Sequence, residues 1–177
     1  MTQKVTLATL WLDGCSGCHM SFLDMDHFVI DLMDKIEIVY SPLVDAKAFP
    51  EQVDVALVEG AVSSEEDLEK IRRVRKSATI LVALGDCAVT GNIPAMRNRF
   101  TIEQLKRRVY VETASLNGMT PHAHVPKLLD TVRPISEIVP VDVHVPGCPP
   151  DASVIRFVVE EMLAGRKPDL TNRAHFG

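Results

Sequence analysis

The chain has 177 residues, 46% of them hydrophobic and 24% charged, with 19 Lys and Arg against 24 Asp and Glu for a net charge of −5. That composition supports one ordinary domain with its own core, and excludes intrinsic disorder and a disulfide-stapled miniprotein. The acidic balance and scattered basic residues argue against nucleic acid or an anionic membrane as the main partner. No run approaches the roughly 20 apolar residues that a spanning helix needs, so no membrane role is expected.

Five short β-branched runs alternate with helical patterns, as in a parallel sheet with crossover helices. The first strand is predicted at Val5 to Leu12, with no basic leader, twin arginine or small-residue cleavage site before it, which points to a cytoplasmic protein. Ser21 to Lys35 places Phe22, Met25, Phe28 or Val29 and Leu32 on one helical face. The second strand follows at Ile36 to Tyr40, and Pro42 to Gln52 has room for one short helical turn. The third strand, Val53 to Val58, precedes a helix that Ser63 and Ser64 cap and that Leu68, Ile71 and Val74 bury, to about Lys76. Thr79 to Leu84 is the fourth strand, and Thr101 caps a helix over Ile102 to Tyr110. Val111 to Pro140 is rich in proline and nearly aperiodic beyond Lys127 to Val132; it reads as a docking surface or as a plain ordered loop. Val141 to Val145 is the fifth strand, and a last helix runs from Pro149 or Pro150 through Met162 until Gly165. The repeated βαβ order gives a doubly wound α/β fold in one domain, residues 1–177, with no linker or repeat.

All four cysteines follow predicted strands: Cys15 and Cys18 after the first, Cys87 after the fourth, Cys148 after the fifth. Loops after the strand C-termini of an open parallel sheet share one edge, so these thiols are expected to converge. Tetrahedral sulfur ligation suits a 4Fe-4S cluster or a structural zinc. One close pair joined by two distant single cysteines is unusual for zinc, and a domain with its own core has little need of zinc to fold. Gly14, Gly17, Gly85 and Gly147 give the loops freedom to present N–H groups to sulfurs, and Pro149 after Cys148 is similar to the Cys-Pro step of bacterial ferredoxin sites. Iron-sulfur is therefore favoured, with zinc and unrelated thiols as the alternatives.

Taken together, Trp11 to Asp24 with its Cys15-Ser16-Gly17-Cys18 core, Val58-Glu59-Gly60-Ala61, Leu84-Gly85-Asp86-Cys87-Ala88 and Val145-Pro146-Gly147-Cys148-Pro149-Pro150-Asp151 resemble the small subunit of nickel-iron hydrogenases, in family order and across nearly the whole chain. The short, cytoplasmic, NAD-reducing bidirectional type resembles it best. The resemblance implies a flavodoxin-like fold and one 4Fe-4S cluster, with Cys15, Cys18, Cys87 and Cys148 at the ligand positions. It further implies hydrogen splitting at a nickel-iron center in a separate large subunit, and electron relay to diaphorase subunits that carry flavin and iron-sulfur clusters and reduce NAD. The chain would then carry electrons within a hetero-oligomeric oxidoreductase and hold no catalytic residue itself. Periplasmic uptake hydrogenases have longer small subunits with further clusters. The related quinone-reductase subunit has adjacent cysteines where this chain has a spaced pair.

Around the ligand set, Glu59 reads either as a relay or hydrogen-bonding carboxylate or as a strand-end cap. Asp13 and Asp86 are expected to accept local turn N–H bonds. His19 is a candidate to hydrogen-bond a sulfur, whereas His27, His122, His124, His144 and His175 are assigned to no metal. Two other classes compete: a flavodoxin-like flavin-binding carrier and a zinc-stabilised binding module. Cysteines occupy the turn where a flavin carrier would have a phosphate-cradling Ser/Thr-rich loop, which leaves FMN at most an accessory site elsewhere. No Walker loop, dinucleotide fingerprint or catalytic triad is present.

Overall fold

The computed structural model describes residues 4–177. Five strands, β1 (Val5–Trp11), β2 (Ile36–Tyr40), β3 (Val53–Glu59), β5 (Ala78–Leu84) and β7 (Val143–Val145), form one parallel sheet in the order β2-β1-β3-β5-β7. This is the doubly wound order of the flavodoxin-like fold. Its switch point lies between β1 and β3, where the chain leaves toward β2 on one side and toward β5 on the other.

Successive side chains of a strand point to opposite faces. Leu7, Leu57, Val82 and Val145 therefore pack with Phe22, Leu32, Ile155 and Val158 on one face. Ala8, Leu10, Ala56, Val58, Leu81 and Ala83 pack with Ile71, Val74 and Ala88 on the other. The first layer is built by helices α1 (Gly17–Leu23), α2 (His27–Leu32) and α7 (Ala152–Leu163), the second by α3 (Glu65–Ser77) and α4 (Asp86–Thr90). A single turn, α5 (Asn92–Ala95), follows α4. Burial on both faces is why the strands read as near-continuous apolar runs.

The capped helices form where the serines and threonines place them. Ser64 and Asp67 make a reciprocal capping box at α3, and Thr101 and Gln104 make one at α6 (Ile102–Arg107). Asp151 caps α7 by accepting the Ser153 N–H at 2.8 Å.

Three expectations need correction. The helix expected over Ser21 to Lys35 is two helices, because the chain turns at Asp24–Asp26 with Asp26 at φ 54°. Both pieces lie on the same sheet face, so Phe22, Met25 and Leu32 stay buried and the apolar periodicity survives the break. Pro42 to Gln52 holds no helix, only a hydrogen-bonded turn at Pro42 and Leu43 in which the Val44 N–H donates to the Ser41 carbonyl. The segment Lys127 to Val132 coincides largely with a strand, β6 (Leu128–Arg133), paired antiparallel with the three-residue β4 (Val62–Ser64). Side chains hold this small sheet in place. Asn98 donates to the Val132 carbonyl at 2.9 Å and accepts its N–H at 2.8 Å, while Arg97 donates to the Ser63 and Leu129 carbonyls. The helix after Thr101 continues as a π-helical turn over Arg108–Glu112. Beyond it, Leu116, Met119 and Val125 are exposed in the irregular segment.

Candidate metal centre

The three cysteine loops leave the carboxyl ends of β1, β5 and β7, and the fold brings them to one edge. Cys15, Cys18, Cys87 and Cys148 line a single recess of about 380 Å³, open mouth included. Gly14, Gly17, Glu59, Gly60, Asp86, Gly147 and Pro149 complete its wall. All four thiols are free; Cys15 and Cys148 are exposed, Cys18 and Cys87 half-buried.

The glycines make space for sulfur. A Cβ on Gly85, at φ +84°, would sit 2.2 Å from the Cys18 sulfur, and one on Gly17 would sit 3.2 Å from the Cys15 sulfur. At Gly147, φ +135°, a Cβ would meet Pro150 Cα at 2.5 Å, so the turn into Cys148 admits no side chain. The Cys148–Pro149 peptide is cis. Ser21 Oγ donates to the Pro150 carbonyl, tying α1 to that loop.

Burial raises the pKa of the Cys18 thiol, with the Glu59 carboxylate and the neighbouring sulfurs acting in the same direction. Burial also raises that of Cys87, reinforced by Cys148 and Cys15, while the Ile93 main-chain N–H beside it pulls the other way. A bound metal would reverse that balance, because its positive charge favours the thiolate form. Among the described residues no three His, Cys, Asp or Glu side chains converge closely enough to hold a single metal ion.

Glu59 ends β3 and is fully buried. Its Oε2 accepts the His19 main-chain N–H at 2.9 Å, and its other oxygen lies toward Gly14. The carboxylate thus caps the first turn of α1 and lines the recess at once. The His19 ring turns to Glu59 rather than to a sulfur: Nδ1 lies 3.0 Å from Oε2 but is poorly aligned for a hydrogen bond, and the Trp11 ring packs against its edge. Asp13 pairs main chain to main chain with Ala61. Asp86 accepts no local turn N–H; its carboxylate takes the distant Gly147 N–H. Ile93 was not singled out from the sequence, and Gly60 stood there only as part of the Val58-Glu59-Gly60-Ala61 motif. At Gly60, φ +85°, a Cβ would meet the Leu12 carbonyl carbon at 2.8 Å, which lets the β3 turn pass directly under the first cysteine loop.

A flavodoxin-like sheet whose carboxyl edge gathers four free cysteines around a glycine-cleared recess defines an α/β protein with a candidate thiolate metal centre. Residues 15–162 match the family described as NADH ubiquinone oxidoreductase, 20 Kd subunit. The delta subunit of the NAD-reducing hydrogenase HoxS of Cupriavidus necator is 40% identical over 172 residues, covering 94% of this chain and 82% of that one. A chain of the F420-non-reducing hydrogenase vhu of Methanococcus voltae is 40% identical over 176 residues, 98% of this chain but 61% of the relative. Among solved structures, a chain of a NAD+-reducing NiFe hydrogenase in the H2-reduced state superposes with a TM-score of 0.91 at 41% identity, over 94% of this chain and 95% of that one. A NiFeSe hydrogenase from Desulfomicrobium baculatum, at 20% identity and a TM-score of 0.55 over 92% of this chain and 62% of its own, shares the fold. The chain belongs to this family, as one of its hydrogenase small subunits.

Proposed function

We propose that Cys15, Cys18, Cys87 and Cys148 together hold one 4Fe-4S cluster, and that the chain is the electron-transfer subunit of a cytoplasmic NAD-reducing nickel-iron hydrogenase. The observation that carries this reading is the convergence of all four cysteines on one recess, where side chains in place of the glycines would fill the space of the sulfurs. Bound there, the cluster supplies one-electron transfer between the nickel-iron center of a large subunit and diaphorase subunits that carry flavin and iron-sulfur clusters and reduce NAD.

The rest of the chemistry is done by the residues of this chain. Four thiolates give the tetrahedral sulfur set that a cubane takes. Gly85 and Gly17 leave room for the Cys18 and Cys15 sulfurs, and Gly14 and Gly60 let two main chains pass close beneath them. Glu59 holds the start of α1, and with it Cys18, against the end of β3. The Ile93 N–H beside Cys87 stabilises negative charge on sulfur, a contact of the kind that sets cluster potential. Trp11, Met20, Ile93 and Met96 are exposed apolar side chains on the elements that lead into, carry or follow the cysteines. Such a surface favours a partner that keeps the recess dry and brings its own redox center close. Among the described residues no helix is long and apolar enough to cross a membrane.

The test is metal and acid-labile sulfide analysis of the chain co-expressed anaerobically with its large subunit, alongside Cys87→Ser. About four iron and four sulfide per chain, beyond the partner's own metals, are expected in the parent. Cys87→Ser is expected to keep its far-ultraviolet circular dichroism while losing the cluster's paramagnetic signal and hydrogen-linked NAD reduction. Zinc without sulfide, or parental turnover in Cys87→Ser, would overturn the proposal.

A further inference from the structure

The Cys87 and Cys148 loops come from different strands, yet one side chain joins them. Asp86 is 3% exposed. Its Oδ1 accepts the Gly147 N–H at 2.6 Å, and its own N–H donates to the Gly147 carbonyl at 2.9 Å. The residue before Cys87 is thus bonded twice to the residue before Cys148. With Gly147 held at φ +135° against Pro150, the direction of its N–H is fixed and the carboxylate is its partner.

The second oxygen of Asp86 is also used. Oδ2 accepts the Gly177 N–H at 2.8 Å. Gly177 lies so close to Cys148 that a Cβ on it would sit 2.8 Å from Cys148 Cβ. The segment that delivers it runs back beside α7: Pro168 is buried, Leu170 packs on the core, and the Arg173 guanidinium lies 4.2 Å above the Phe157 ring.

We infer that Asp86 is a positioning residue with two tasks: it sets the spacing of Cys87 and Cys148, and it fastens residues 174–177 beside the Cys148 corner of the recess, partly screening a thiol that is otherwise exposed. The inference rests on the reading of the four cysteines as cluster ligands. A carboxylate is needed because each of its oxygens accepts one N–H. An amide of the same size offers a single acceptor oxygen, so Asn satisfies one partner and turns an NH2 toward the other. Where the Gly147 N–H is the one left over, a buried donor has no partner, a costly state; where it is the part-buried Gly177 N–H, the terminal segment loses its tie.

The experiment compares the parent complex, purified anaerobically with its large subunit, with Asp86→Asn and Arg173→Ala. Arg173→Ala releases the returning segment without touching Asp86. The readouts are hydrogen exchange over residues 146–150 and 174–177, the midpoint potential followed by electron paramagnetic resonance, and the rate of cluster bleaching by an iron chelator. Asp86→Asn is expected to raise exchange at least about tenfold in one or both segments and to shift the potential. Arg173→Ala is expected to speed exchange in 174–177 and bleaching several-fold, leaving 146–150 and the potential at parental values. Parental exchange and potential in Asp86→Asn would remove the clamp. Freed exchange at 174–177 with unchanged bleaching would remove the screening task. Absence of iron and sulfide from the parent would instead defeat the ligand assignment, and the exchange data would still decide whether Asp86 joins the three segments.

Discussion

Replacing Gly85 by Ala perturbs the proposed site through geometry alone. The new Cβ would lie 2.2 Å from the Cys18 sulfur, whereas real Cβ contacts do not fall below 3.0 Å, so the sulfur must retreat by about 0.8 Å. Metal–thiolate bonds are near 2.3 Å in the zinc case, and a stretch of that size leaves little bonding. Gly85 also stands at φ 84°, ψ 161°, a region open essentially to glycine alone, which costs alanine about 1–3 kcal/mol. Two effects are therefore superimposed, and Gly165→Ala separates them. Gly165 has φ +71° with nothing within 4 Å of an added Cβ, so it carries backbone strain of about 1–2 kcal/mol without moving a sulfur. Both variants are assayed in the complex with the large subunit by thermal unfolding and by iron, sulfide and paramagnetic resonance per chain. Both are expected to be destabilised, with iron and signal lost only in Gly85→Ala. A full iron complement and a parental spectrum in Gly85→Ala would refute the placement of Cys18 as a ligand.

Two further outcomes follow from the same geometry. The Cys18 and Cys87 thiols are held above their ordinary pKa of 9.0 in the folded chain. As pH climbs past about 9, the unfolded chain loses these protons first, so the metal-free protein loses stability from there upward. Urea unfolding between about pH 8 and 10.5 should show that fall, and Cys18→Ser should flatten it; an equal slope in the variant would contradict the burial argument. Glu59→Ala should strip the buried His19 N–H of its acceptor at a cost of about 2 kcal/mol. That corresponds to about thirtyfold faster exchange at His19, which Glu59→Gln should largely restore because its amide oxygen still accepts.

Much of the fold was written in the chain. Strands largely buried on both faces carry near-continuous apolar side chains, so all five sheet strands were legible, and Ser64 and Thr101 announced their helices through capping boxes. Because loops after parallel strands share one edge, even the convergence of Cys15, Cys18, Cys87 and Cys148 could be foreseen from strand count. Local pattern misled where tertiary contacts override it. The break at Asp26 leaves the apolar periodicity intact and so leaves no trace, and β6 exists because Asn98 and Arg97 clamp it to a three-residue partner far away in sequence. The roles around the recess were decided by the tertiary structure alone. Whether Asp86 bonds its own turn or Gly147, whether His19 faces sulfur or Glu59, and that Gly85 clears space for a sulfur sixty-seven positions earlier, on Cys18, depend on distances between segments that the order of residues does not encode.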